Sequence, residues 1–209
     1  MSDDTNTHAT TSSRRLVQLL ALVAAVVLIA DQVTKWVALE NLQPSAYTPV
    51  LGDLFGLTLV RNPGAAFSFA SGSTWIFTIV AVIVTIVIIR TAPRLRSTAW
   101  ALSLGALLGG NLGNLGDRLL REPGFGVGHV VDFLNYGGIV VGNVADIAIV
   151  FAAASMAMLA FRGIGIDGIR TSAQGADVDA ERTEPSTEAT DPGTESLASG
   201  TESTDADED

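Results

Sequence analysis

Long apolar runs separated by short polar segments dominate the chain. Leu16 to Ala30 contains one polar residue, Gln18, and the pattern continues past Asp31, Gln32 and Lys35 to about Val37. A stretch of about 22 residues makes a helix of roughly 33 Å, enough to span a bilayer. A second run, Trp75 to Ile89, has two threonines as its only polar residues and is too long for a buried strand. A third segment is weaker, because it holds Gly105, Gly109, Gly113, Asn111 and Asn114. A fourth is interrupted by Asp146. The pattern predicts an all-α integral membrane protein with four transmembrane helices, over about 16–37, 73–90, 98–118 and 143–162. Arg14 and Arg15 before an apolar run also fit a secretory signal peptide, but no small-residue cleavage site follows and further spans do.

The segments between the runs add a small extracytoplasmic β-element. Leu51 to Arg61 partly alternates, Asn62-Pro63-Gly64 is a turn signal, and Ala65 to Phe69 resumes an apolar stretch. This predicts a short hairpin or small sheet over 51–69, resting at the outer membrane surface. Residues 1–13 are polar and predict a disordered cytoplasmic terminus, 14–165 the membrane domain, and 166–209 a disordered acidic tail.

Composition agrees with a membrane protein. Hydrophobic residues make up 48% of the 209 and charged residues 16%, with a mean hydropathy of +0.40. The net charge of −10 belongs to the tail: 171–209 holds 12 acids and one base, Arg182, while the rest is near neutral. A basic nucleic-acid surface is thereby excluded. No cysteine is present, which removes thiolate metal sites and cysteine nucleophiles, and two histidines argue against a multi-histidine metal site. The basic residues cluster as Arg14 and Arg15, as Arg90, Arg94 and Arg96, and as Arg162 and Arg170. With four spans all three clusters fall on one side, which places both termini in the cytoplasm.

Polar groups inside the apolar runs need a reason, because a charge at the bilayer centre costs at least about 2.5–3.5 kcal/mol. Asp31 and Lys35 lie one turn apart on one face. Asn111, Asn114, Asp117 and Arg118 form a stripe on the third helix, and Asn143 and Asp146 another on the fourth. Counted from the cytoplasmic ends, Asp31, Asn114 and Asp146 each lie about 22–24 Å up their helices, so polar groups meet at one level near the outer surface. Asp132, within Val130-Val131-Asp132-Phe133, sits just outside the membrane. Asp132 and Asp146 are the acids best placed to share a site. Two close carboxylates split their proton affinities, and such a pair can activate water and protonate a leaving amine. Asp117 is the rival for the second acid, although Arg118 beside it favours a fixed charge. Singly, bland readings hold: an Asp31–Lys35 ion pair, glycines for helix packing, an Asp117–Arg118 salt bridge at the interface. The competing classes are a small transporter or proton relay using its intramembrane carboxylates, and a structural membrane adaptor.

Five ordered blocks make the chain resemble the lipoprotein signal peptidase (signal peptidase II) family: Asp31-Gln32-Val33-Thr34-Lys35, Asn62 to Ser68, Gly109 to Arg118, Val130 to Phe133, and Asn143-Val144-Ala145-Asp146. The resemblance covers roughly residues 16–162. It implies a cofactor-free, metal-free aspartic endopeptidase of the bacterial cytoplasmic membrane, with its site near the outer face. Its substrates would be diacylglyceryl-modified prolipoproteins, cut on the amino side of the lipidated cysteine, with membrane lipid around it. It implies a monomer inhibited by globomycin. The catalytic pair falls on Asp132 and Asp146; supporting residues fall on Asp31, Lys35, Asn62, Asn114, Arg118 and Asn143. In this reading Asn114 and Asn143 fix carboxylate geometry, and Arg118 steadies loop carbonyls or a carboxylate. A mobile segment over the site is also implied, which suits 119–142. The chain departs from the family at Asn111, at Gly142 and in the long stretch Leu119 to His129.

Overall fold

The computed structural model describes residues 4–64 and 74–170, with side chains from Ser13 onward. Four helices form where the apolar runs lie: α1 (Asp4–Asn41), α2 (Thr74–Thr91), α3 (Thr98–Leu120) and α4 (Val144–Phe161). Their ends follow local chemistry. Ser97 caps α3 by accepting from the Trp100 N–H, and Asn143 and Asp146 form a reciprocal capping box on α4. A short 3₁₀ turn at Ala92–Arg94 follows α2, with Pro93 unable to continue the helix. α1 starts well before the apolar run and takes in most of the polar segment whose composition predicts disorder. Once a long helix exists, each added residue is inexpensive to propagate. The acidic tail from residue 171 and the apolar stretch 65–69 lie outside the described residues.

Among the described residues, three stretches are long and apolar enough to cross a membrane: Ser13–Asn41, Thr74–Arg94 and Val144–Phe161. Their outer faces carry exposed Leu22, Ile29, Val80, Val150 and Phe151, an apolar surface that suits lipid and not water. α3 is long enough but less apolar, and its position supplies the reason. It packs against α1, α2 and α4, so its sides meet helices where theirs are exposed. A Cβ at Gly109 would stand 2.5 Å from the Ala24 carbonyl oxygen of α1, and one at Gly110 2.6 Å from that of Ala145 of α4. The glycines therefore set the approach of α3 to two neighbours. Gly109→Val should push α1 from α3 and cost on the order of 1–3 kcal/mol, read as a lowered midpoint of thermal unfolding in detergent. An unchanged midpoint would mean the helices are not held at this distance.

Asn111 faces α2, not the polar stripe: its Nδ2 donates to the Ala81 carbonyl and to Thr85 Oγ1, each at 2.8 Å. At the opposite end of the bundle, Ser13 donates to the Pro93 carbonyl and Trp100 Nε1 to that of Ile164. The helix ends that carry the three arginine clusters thus gather together.

The β-element is larger than the sequence predicts. β1 (Thr48–Leu51), β2 (Phe55–Asn62), β3 (Val130–Tyr136) and β4 (Val140–Gly142) form one antiparallel sheet in the order β1-β2-β3-β4. The first hairpin turns at Gly52 to Leu54, not at Asn62-Pro63-Gly64, and the second at Gly137-Gly138, whose positive φ values suit a tight turn. The segment 130–142, read from sequence as loop, supplies half the strands. Leu59, Val131 and Phe133 bury against Ala38, so the sheet rests on the C-terminal end of α1.

Candidate active site

The two candidate carboxylates come from different elements. Asp132 lies in the middle of β3 and Asp146 in the first turn of α4. The register pairs Asn62 with Val130 and Val60 with Asp132, which makes Asn62 and Asp132 diagonal neighbours on β2 and β3. Asn62 Nδ2 donates to Asp132 Oδ2 at 2.8 Å, while its own Oδ1 accepts from the Gly64 N–H. The turn at Asn62-Pro63-Gly64 therefore fixes which end of the amide faces Asp132.

Asn143 joins the two acids. Its Nδ2 donates to Asp132 Oδ1 at 2.6 Å, and its Oδ1 accepts from the Asp146 N–H at 3.0 Å. Its backbone N–H donates back to Asp146 Oδ2 at 3.1 Å. The capping box of α4 thus doubles as the frame of the acid pair. A second asparagine closes the ring: Asn114 Nδ2 donates to Asp146 Oδ1 at 2.9 Å, and Asn114 Oδ1 accepts from Asn143 Nδ2 at 3.2 Å.

Lys35 determines the orientation of Asn114. Its Nζ donates to Asn114 Oδ1 at 3.0 Å and pairs with Asp31 Oδ2 and Asp117 Oδ2, each at 2.8 Å. An ammonium has donors only, so it must face the amide oxygen, and the amide nitrogen must then face Asp146. Asp31 Oδ1 also accepts from the Ala145 N–H at 2.9 Å, which ties α1 to the first turn of α4. A Cβ at Gly113 would strike the Asp31 carboxylate, so the glycine stripe ends by making room for this ion cluster. Lys35, Asp31, Asn143, Asp117 and Asp132 are all buried to within 2% of full enclosure.

The structure brings Asp31, Lys35, Asn62, Asn114, Asp132, Asn143 and Asp146 into one connected network. Arg118 sits beside it. Its Nη1 donates to the Asn114 carbonyl of its own helix at 3.4 Å, and its guanidinium lies 5.5 Å from the Phe77 ring centre. Its charge acts on Asp132, Asp146 and Asp117. Asp117 itself pairs with Lys35 and with Arg121, not with Arg118, and accepts from the Val131 N–H at 3.1 Å. Both carboxylate oxygens of Asp117 are held by cations, an arrangement that suits a fixed charge. Sequence reasoning missed Arg121 and Gln32, whose Nε2 donates to Asp31 Oδ2 and to the Gly113 carbonyl. The i,i+4 spacing of Asp117 and Arg121 was the available signal.

Burial is the main influence on Asp132 and pushes its carboxyl up to about 6. The Asn62 hydrogen bond pulls it down, the Asp146 charge pushes it up, and Asn143 and Lys35 pull it down. A groove of about 510 Å3 starts at Asn62, Asn143 and Asp146 and runs along Val141, Ile147, Val150 and Phe151. It joins a polar head to an apolar wall continuous with the exposed face of α4. Among the described residues, no group of three or more histidines and acids is placed to hold a metal ion.

A relative from Leifsonia xyli, a lipoprotein signal peptidase, is 53% identical over 163 residues, 78% of this chain and 76% of its own. Relatives of the same name from Rhodococcus jostii and Mycobacterium tuberculosis are 49% and 47% identical, each over 78% of this chain and 82% and 80% of their own. A solved bacterial membrane enzyme superposes with a TM-score of 0.60 at 26% identity, over 68% of this chain and 91% of that one. Residues 23–162, from the first apolar run to the end of the last helix, match the signal peptidase II family, and the chain belongs to it.

Proposed function

We propose that this membrane peptidase removes signal peptides from diacylglyceryl-modified prolipoproteins by aspartic chemistry, with Asp132 and Asp146 as the reacting carboxylates. The observation that carries the reading is the joining of these two acids through Asn143 and Asn114, with Asp146 and Asn143 opening on an apolar groove. A lipidated cysteine at the end of a membrane-embedded signal peptide offers the matching chemistry: a polar scissile bond with apolar chains below it. All four helices cross the membrane in this reading, with both termini cytoplasmic and the site toward the outer face. α3 then spans as the inner helix, shielded from lipid by the other three. The chain works as a monomer and is inhibited by globomycin.

The reaction needs one proton shared by the pair. Asp132, raised to about 6, holds that proton below this pH, and Asp146, accepting two N–H donors at a helix N-terminus, acts as the base. Asp146 takes a proton from water as its oxygen attacks the scissile carbonyl carbon, and Asp132 protonates the carbonyl oxygen. Collapse of the diol breaks the C–N bond: the proton held on Asp146 goes to the departing cysteine amine, and one diol O–H returns its proton to Asp132.

Purified protein in detergent should shorten a diacylglyceryl-modified prolipoprotein on a gel, and globomycin should block the cleavage. No cleavage by well-folded protein would sink the reading. The same assay tests the proton inventory. Rising pH removes the Asp132 proton, so kcat/KM should decline as pH passes about 6. A profile flat from pH 5 to 8 would place the working proton elsewhere.

A further inference from the structure

We infer that Arg121 is a positioning residue for this reaction, acting on Asp146 through a chain of charges and amides that begins at the protein surface. The inference rests on the peptidase reading and extends it to a residue outside the ordered family blocks. Arg121 Nε meets Asp117 Oδ1 at 2.6 Å, and Asp117 Oδ2 meets Lys35 Nζ at 2.8 Å. Lys35 Nζ meets Asn114 Oδ1 at 3.0 Å, and Asn114 Nδ2 meets Asp146 Oδ1 at 2.9 Å. Lys35 and Asp117 are buried, and Arg121, at the far end of the chain from Asp146, is 28% exposed.

Charge balance gives the chain its sense. Two acids, Asp31 and Asp117, face two bases, Lys35 and Arg121, in a buried cluster. Without Arg121 the cluster carries one uncompensated negative charge. Lys35 is then drawn toward Asp117 and away from Asn114, whose amide loses the partner that fixes it. The other charged groups facing this region are Arg118 on α3 and the acids Asp132 and Asp146, with the exposed pair Arg61–Glu122 and His129 beyond Arg121. None of these bonds Asp117, so none substitutes for Arg121. The local fold holds Arg121 in place. It is the C-cap of α3, and the returning loop packs on that turn through the Gly128 N–H to the Arg118 carbonyl. A Cβ at Gly128 would strike the Asp117 carbonyl, so the loop needs glycine there. Arg121 does not line the groove, which makes its effect one on kcat and not on substrate binding.

The test compares the full-length wild type, Arg121→Gln and Arg121→Lys on a diacylglyceryl-modified prolipoprotein, with KM, kcat and the pH profile measured for each. Arg121→Gln should lower kcat about tenfold at unchanged KM, and move the alkaline limb up by about half a pH unit, because added negative charge holds the Asp132 proton more tightly. Arg121→Lys should restore the limb and most of the rate. Equal kcat and an unmoved limb in Arg121→Gln would overturn the inference. So would a rise in KM alone, or equal losses in both variants with the limb unmoved. If Arg121→Gln does not fold, the Asp117→Asn/Arg121→Gln pair, neutral again, should cleave with the wild-type limb; a displaced limb would overturn it. Absence of cleavage by the wild type would instead refute the peptidase reading.

Discussion

Asp132→Asn and Asp146→Asn should each lower cleavage of a diacylglyceryl-modified prolipoprotein at least about a thousandfold, because each removes a proton carrier that no neighbour replaces. The two variants should differ in stability, and the difference identifies their settings. Asp146 accepts the Asn143 N–H on one oxygen and Asn114 Nδ2 on the other, so Asp146→Asn, with one acceptor oxygen, loses one of these hydrogen bonds, worth about 1 kcal/mol. Asp132 is strained instead. Its carboxyl is raised from 3.8 to about 6 in the folded protein, chiefly by burial. A raised carboxyl stabilises the fold below the unfolded value, and that contribution is lost as pH rises through the folded one. The wild type therefore loses about 2 kcal/mol between pH 4 and pH 7. Asp132→Asn has no such term, so its unfolding midpoint should gain on that of the wild type as pH rises through this window. Parallel midpoints across pH 4–7 would remove the strain. Activity retained by Asp132→Asn would move the second acid elsewhere, and Asp117, tied to Lys35 and Arg121, is poorly suited to take it.

The helices were legible because membrane spans are written in composition. Leu16 to Val37 and Trp75 to Ile89 lie within α1 and α2, and the ends of α3 and α4 fall close to the predicted 98–118 and 143–162. The polar stripes were legible as faces: spacing places Asp31 beside Lys35, and Asn143 beside Asp146. What those faces meet was not. Nothing in the sequence says that Asn111 turns to Thr85 while Asn114 turns to Lys35, because the two are a helical turn apart and differ only in which neighbour they face. The sheet was half hidden for the same reason. β2 and β3 pair across two intervening helices, and the VVDF stretch is continuously buried, without the alternation that marks a half-exposed strand. Arg121 was hidden because its partner, Asp117, was assigned to Arg118 by adjacency, and adjacent helical residues point to different faces. The family match does not favour the transporter alternative, and the network closes on itself at one end of the bundle.

Lys35→Met should be the most destabilising change in the network. The side chain is fully buried and is the common partner of Asp31, Asp117 and Asn114. Methionine fills much of the same volume, so the loss is one of charge more than of packing. Two carboxylates then face each other with Arg121 as the remaining cation on Asp117, and Asp31 keeps only the Gln32 amide and the Ala145 N–H. Removing one member of a buried ion cluster costs about 3–5 kcal/mol, which lowers the unfolding midpoint by about 10 °C or more in a chain of this size. Activity should fall further than stability accounts for, because Asn114 loses the donor that turns its nitrogen toward Asp146. Adding Asp31→Asn separates the two effects. Lys35→Met/Asp31→Asn leaves Asp117 and Arg121 as a neutral pair, so the midpoint should recover by several degrees. Cleavage should stay about a hundredfold or more below wild type, because the amide of Asn114 remains unanchored. Recovery of both would reduce Lys35 to a structural counter-ion. Recovery of the midpoint alone would place Lys35 in the machinery, as the charge that aims an asparagine at the catalytic pair.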